Sequence, residues 1–227
     1  MIGGLPVVRD AFARVARLVT TARLRKSVLQ ALVEKDELEA LAEIEGATSQ
    51  RLIAEARGTA GVASNELIYG VPHATFINAA FANSKPLELN RFNGPDRAAW
   101  YAALAIETSI EEVKFHMTEF LAQAGDFNAT VEYAELFASF AGEFVDLRSS
   151  PDHPALNSDK SIGYRAGNAL ANLVRSAGVN GVIYPSVRHE GGTCIVALFP
   201  HVVQSVAQGD VWRLVWSGGQ EPSLNKA

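Results

Sequence analysis

A single cysteine, Cys194, stands in this chain of 227 residues, so no disulfide can form within it and packing alone must hold the fold. One lone thiol suits a reducing compartment, and a cytoplasmic location is expected. A basic surplus is missing as well: the net charge is −5, whereas a nucleic-acid binder normally carries a basic face. Direct nucleic-acid binding is therefore not expected, although a local arginine can still hold a phosphate inside an acidic protein. No apolar run approaches the roughly 20 residues needed to cross a bilayer, so no membrane role is expected. The N-terminal stretch carries Arg9, Arg14, Arg17, Arg23, Arg25 and Lys26, but it lacks the compact apolar core and cleavage site of a secretory signal. An arginine-rich transit peptide is a minor reading of the same stretch. The five histidines form no HxxxH pair, which with one thiol excludes the usual zinc sites. Walker loop, GxGxxG and GxSxG patterns are all absent.

What is present is an ordinary globular composition, with 48% hydrophobic and 20% charged residues, enough for one good core. Val8, Phe12, Val15 and Val19 recur at spacings of four and three, which predicts an amphipathic helix. Leu29, Leu32, Leu38, Leu41 and Ile44 predict a second, ending near Gly46, and Thr48 to Leu52 begins a further turn. Leu67-Ile68-Tyr69 and the run from Phe76 to Phe81 read as short strands. Residues 83–97, dense in Asn, Pro, Gly and Ser, read as a long irregular loop, and such loops in compact domains are often functional. Trp100 to Ile106 reads as a strand.

Thr108-Ser109-Ile110-Glu111 has the form of a capping box, with Ile110, Val113, Met117 and Leu121 as the buried stripe of a helix that ends near Gly125. Strands are expected over 130–136 and 143–147. A helix is expected over 166–176, burying Leu170, Leu173 and Val174 and stopping at Gly178. Strands then recur over 182–184, 193–199 and 211–216, and 218–227 reads as a frayed tail. Helices and strands mix without regular βαβ alternation, which favours α+β. The expected organisation is an N-terminal helical extension over 1–46, a catalytic-type domain over 47–218, and a tail over 219–227.

Four polar residues fall where a core-building sequence would not place them. Arg91 lies inside the irregular loop, Tyr101 opens a strand, Glu112 sits on the first turn of the capped helix, and Ser186 follows Pro185 where a strand runs into a turn. Each has an ordinary structural explanation: a solvated loop arginine, a core-edge aromatic, an acidic residue favoured near a helix N-terminus, and a turn serine. Glu112 and His116, one helical turn apart, could form an acid–base pair, though such pairs are more often surface contacts. The Glu190-Gly191-Gly192 turn could approach a phosphate through its amides, and a plain hairpin explains its glycines equally well.

Three segments in order resemble the RES-domain family. They are Asn90-Arg91-Phe92-Asn93 with Arg97-Ala98-Ala99-Trp100-Tyr101; Glu107 through Glu112 to His116; and Gly181-Val182-Ile183-Tyr184-Pro185-Ser186-Val187-Arg188 with Gly191-Gly192, Cys194 and Phe199-Pro200. The resemblance spans roughly residues 36–218. It implies a toxin of a bacterial toxin–antitoxin pair with an Xre-like antitoxin that blocks the active site, alone as a homodimer or in a higher complex with that partner. It also implies a mixed sheet similar to that of ADP-ribosyltransferase toxins, with NAD⁺ as substrate and no bound cofactor or metal. By motif, the implied catalytic residues are Arg91, Tyr101, Glu112 and Ser186, with Tyr69, Asn93 and Arg51 as substrate contacts. Many family members carry an arginine just after a tyrosine in the first strand. Here Gly70 follows Tyr69, and Arg51 is the candidate to take that role.

The resemblance implies cleavage of the nicotinamide–ribose bond. Nicotinamide leaves as a neutral molecule, so the demanding element is the positive charge that grows on the ribose. A carboxylate beside that ring answers it, as in glycosidases, and Glu112 is the expected carboxylate. Arg91 offers a fixed fork of parallel donors to phosphate. Tyr101 is suited to stacking on the nicotinamide or ribose, and Ser186 to positioning without nucleophilic attack. Hydrolysis and phosphorolysis of NAD⁺ both fit these residues. So does transfer of ADP-ribose to a macromolecule, and a non-catalytic binding or assembly module is a further alternative.

Overall fold

A computed structural model describes residues 1–23, 61–82 and 89–227. The expected second helix, the Thr48 to Leu52 turn and Arg51 lie outside the described residues. The described part is α+β: three α-helices pack on a mixed seven-stranded sheet. The strands are β1 (Val7–Thr20), β2 (Trp100–Ala103), β3 (Asn128–Asp146), β4 (Gly181–Pro185), β5 (Thr193–Ala197), β6 (Val203–Ser217) and β7 (Ser223–Lys226). The helices are α1 (Ala74–Ala82), α2 (Ile106–Ala124) and α3 (Lys160–Ser176).

The sheet runs β1-β2-β5-β4-β3-β6-β7, and β1 also pairs with β3. Five strands therefore close on themselves, because β1 meets β2 at Ala16↔Ala103 and meets β3 from Val7↔Val145 to Thr20↔Tyr133. Closure of this kind removes open sheet edges. The β3–β4 pair is parallel and the others are antiparallel. Central strands alternate between two buried faces: Val182, Tyr184, Cys194 and Val196 pack in a cluster with Leu170, Ala171 and Val174 of α3. Ile183, Ile195, Ala197 and Trp100 pack with Phe140, Phe144 and Phe81. Strands buried on both sides read as continuous apolar runs. A third cluster, Leu18, Ile110, Leu121, Tyr133, Leu214 and Trp216, lies beneath α2.

Several local expectations are corrected. Val7–Thr20 is a strand, not the amphipathic helix of an N-terminal extension. A register shift between Phe12 and Val15 is the cause. Strand alternation puts Val8 and Phe12 on one face, the bulge skips a position, and Val15 and Val19 return to the same face; all four contact one cluster. A bulged strand thus imitates helical spacing. The Phe76 to Phe81 run is helical, burying Ile77 and Phe81 four residues apart, and a short apolar run cannot be assigned by periodicity alone. Leu67 to Tyr69 forms no strand, since the Asn78 side chain bonds both backbone groups of Ile68, at 2.9 and 2.8 Å.

The two strands expected over 130–136 and 143–147 are one strand, β3, which continues through Gly142 at φ 153°. Residues 223–226 are the strand β7, paired with β6, not a frayed tail. The helix expected from residue 166 begins at Lys160, capped by Asp159, and Leu173 is exposed on it. No helix among the described residues is long and apolar enough to cross a membrane.

Candidate active site

A cleft of about 220 Å³ opens between α2, α3 and the strands β1, β2, β4 and β5. Arg91, Tyr101 and Glu112 line it, together with Arg17, His116, Tyr164, Tyr184, Arg188 and Cys194. Ser186 joins through a hydrogen bond to Glu112, so the structure brings together the four residues singled out as catalytic. Two of the three expected substrate contacts lie elsewhere. Tyr69 is 70% exposed and outside the cleft lining, and Asn93 is buried within the Arg91 loop, also outside that lining. Among the described residues no cluster of metal-ligating side chains occurs.

Glu112 is placed by the start of α2, and not by a capping box. The helix begins at Ile106 with Ala105 at its N-cap and no side-chain cap. Thr108 and Ser109 are instead buried tethers: the Thr108 hydroxyl meets His189 Nδ1 at 2.9 Å, and Ser109 Oγ donates to the Ala16 carbonyl at 2.8 Å. Glu112 accordingly falls on the second turn. Ser186 Oγ donates to Glu112 Oε1 at 2.7 Å and accepts the amides of Arg188 and His189 at 3.1 and 3.0 Å. Two amides on the oxygen leave its proton only one useful direction, toward the carboxylate. Ser186 is therefore a fixed prop for Glu112. The Cys194 thiol, 3.7 Å from the same Oε1, is buried, and burial pushes its pKa well up; it is no thiolate nucleophile.

Arg91 is buried, and Nη1 donates to the carbonyls of Ala155 at 2.6 Å and Asn157 at 3.0 Å. Both Nη1 hydrogens are spent there, so a ligand would meet the Nε–Nη2 edge, which is still a parallel fork. The guanidinium lies 5.4 Å over the Tyr164 ring. Its loop sits directly on α3 because Gly163 and Gly167 have no side chains. A Cβ at Gly167 would stand 1.9 Å from the Arg91 carbonyl oxygen, and one at Gly163 would stand 2.4 Å from that of Asn157. The Tyr101 hydroxyl is occupied by the same loop, accepting the Phe92 amide at 2.9 Å and donating to Asn93 Oδ1 at 2.9 Å. Burial raises its pKa well above the phenol range. Only the Tyr101 ring is left to meet a ligand.

Arg17, Tyr164 and Arg188 also line the cleft, and none of them is among the site residues expected from sequence. Arg17 comes from β1 and lies 4.7 Å over the Trp100 ring. It places a first-strand arginine at the cleft, where Arg51 was the candidate from sequence. Arg188 stacks 3.6 Å over Phe115 and donates to the Ser158 carbonyl at 3.1 Å. Tyr164 lies ahead of the helix expected over 166–176, and its place between Gly163 and Gly167 is the one signal that could have marked it. His116, half-exposed, has a pKa pushed down to about 4 by partial burial and then by Lys160, with Arg188 and Arg91 adding and Glu119 opposing. It is a neutral imidazole at neutral pH. Three arginines thus line the cleft with the carboxylate of Glu112, and the Lys160–Glu119 pair stands beside His116.

Comparison with known proteins gives three findings. A family model described as the RES domain matches residues 67–217. An uncharacterized protein, y4oC, from Sinorhizobium fredii (strain NBRC 101917 / NGR234) is 26% identical over 212 residues, covering 93% of this chain and 85% of that protein. The crystal structure of the M. tuberculosis MbcT-MbcA toxin-antitoxin complex contains a chain that aligns at a TM-score of 0.37 and 14% identity, over 53% of this chain and 71% of its own.

Proposed function

This chain belongs to the RES-domain family, and from that premise we propose that it is a toxin that destroys NAD⁺ by cleaving the nicotinamide–ribose bond. The observation that carries the reading is the carboxylate of Glu112, held by Ser186 in a cleft that Arg17, Arg91, Arg188 and three tyrosine rings also line. The C–N bond breaks with its electron pair going to nicotinamide, which departs neutral. Positive charge develops on C1′ of the ribose, and the Glu112 carboxylate stabilises it. Stabilisation of this kind is large only when the charge is held in place beforehand, which is the part Ser186 plays.

The cleft is smaller than the roughly 300–1,000 Å³ typical of whole-ligand pockets, so it suits the nicotinamide riboside end. The phosphates then fall at the mouth, within reach of the Arg91 fork, Arg17 and Arg188. The Tyr101 and Tyr164 rings give faces on which a flat pyridine ring can stack. NAD⁺ is the substrate in this scheme, with no resident cofactor. An Xre-like antitoxin that covers the cleft would silence the toxin, and a sheet related to that of ADP-ribosyltransferase toxins would accord with the same NAD⁺ chemistry. The test is product identification after mixing pure protein with NAD⁺, with and without phosphate. Release of free nicotinamide with ADP-ribose or its 1-phosphate supports the reading. Intact NAD⁺ contradicts it, and label retained on macromolecules converts it to a transferase.

A further inference from the structure

The site as described accounts for bond breaking but leaves His116 unused. It lines the cleft one helical turn beyond Glu112, on the same rigid helix. Its Nδ1 stands 3.8 Å from Glu119 Oε2, too long for a hydrogen bond, and with the ring neutral the contact is not an ion pair. Glu119 is itself paired with Lys160 of α3. The chain Lys160–Glu119–His116 holds a carboxylate beside one ring nitrogen, which favours the proton on Nδ1 and leaves Nε2 as an acceptor. The charged groups around the ring are Glu119 on its own helix, Lys160 on α3, Arg188 in the β4–β5 turn and Arg91 in the loop before β2. Glu112 lines the same cleft one turn away, yet partial burial with the three cations outweighs Glu119 and keeps the ring unprotonated at neutral pH.

We propose that His116 is the general base of the second half of the reaction, taking the proton from the water that captures the ribosyl cation; this rests on the reading of the site as NAD⁺-cleaving. In that step the water oxygen donates its electron pair to C1′, forming the new C–O bond. One water proton passes to His116 Nε2, and the imidazolium later releases it to solvent. Glu112 serves the first half and His116 the second, from adjacent turns of one helix. The assignment also selects the acceptor. Water must lose a proton to become a stable product, so it needs a base, whereas an anionic acceptor such as phosphate does not. A base at this position therefore belongs to an enzyme whose acceptor is water.

The test compares the parent full-length protein with His116→Gln and His116→Asn, in three assays: hydrolysis of NAD⁺, exchange of labelled nicotinamide into NAD⁺, and rescue by azide. The ring is half-exposed, so both variants should melt with the parent. Hydrolysis should fall about a hundredfold, the lower end of the range for general-base loss, with KM unchanged. Nicotinamide exchange per hydrolytic turnover should rise, because the cation waits longer for water. Azide, which needs no base, should restore nicotinamide release and yield the ribosyl azide. Hydrolysis at the parent rate in either variant overturns the inference, as does a loss accompanied by no gain in exchange and no azide rescue. A parent protein that releases no nicotinamide overturns the underlying reading as well, and so the two failures are distinguishable.

Discussion

Replacing Gly167 by alanine sets two well-understood effects against each other. In a helix, glycine to alanine ordinarily gains about 0.5–1 kcal/mol from backbone entropy. Here the new Cβ would stand 1.9 Å from the Arg91 carbonyl oxygen, 3.0 Å from its carbon and 3.4 Å from Arg91 Cγ. Real Cβ atoms keep at least 3.0 Å from such a neighbour, so the loop must retreat by roughly 1 Å (3.0 less 1.9). Overpacking of this kind costs about 1–3 kcal/mol, which leaves a net loss of up to about 2.5 kcal/mol. For a chain of this size that corresponds to a fall in Tm of up to about 10 °C. Activity should suffer more, because the displaced loop carries Arg91, and a 1 Å misplacement can cost about a hundredfold. The assays are thermal unfolding by circular dichroism and nicotinamide release from NAD⁺. A Gly167→Ala protein that melts above the parent and turns over normally would refute the close seating of the loop on α3.

Other expectations follow from individual contacts. Ser186→Ala removes the group that orients Glu112, so kcat should drop by about ten- to a hundredfold, in line with the roughly 1.5–3 kcal/mol of one hydrogen bond to a charged group; steady-state kinetics with an unchanged kcat would contradict this. Tyr101→Phe leaves the Phe92 amide without its partner and should lower stability by about 1–3 kcal/mol, read from the urea midpoint. His116 has its pKa pushed down to about 4 from an unfolded value near 6.5, so between those values the unfolded chain binds more protons. Stability should therefore decline as pH falls from about 6.5 toward 4, and the slope in that window should flatten in His116→Gln. Glu66, with its pKa lowered chiefly by its hydrogen bonds to Arg97, contributes stability that is full above about pH 4.5 and lost on further acidification, which Glu66→Gln should remove.

Features set by local chemistry could be read directly from the chain. The buried stripe of α2 and its left-handed stop at Gly125 follow from spacing and one glycine, and the apolar runs of β4 and β5 follow from burial on both faces. Features set by distant partners could not. The bulge that turns a helix-like pattern into β1 exists only against β3, and Thr108 imitates a cap while its hydroxyl serves His189. In the site, Arg91, Tyr101, Glu112 and Ser186 were visible by motif, but not what each one touches. Tyr101 spends its hydroxyl on the Arg91 loop, and Ser186 spends its own on Glu112. Arg17, 74 positions before Arg91 in the chain, reaches the cleft only because the sheet closes through β1.

The central claim is that a fixed carboxylate at Glu112 drives loss of nicotinamide from NAD⁺. The most direct measurement is nicotinamide release by purified parent and Glu112→Gln proteins, side by side, with circular dichroism to confirm that both are folded. Glutamine preserves the shape and the contact with Ser186 but removes the charge. The account predicts release by the parent and a loss of at least about a hundredfold in the variant, the scale of removing one preorganised electrostatic group. A folded Glu112→Gln protein that releases nicotinamide at the parent rate would contradict it.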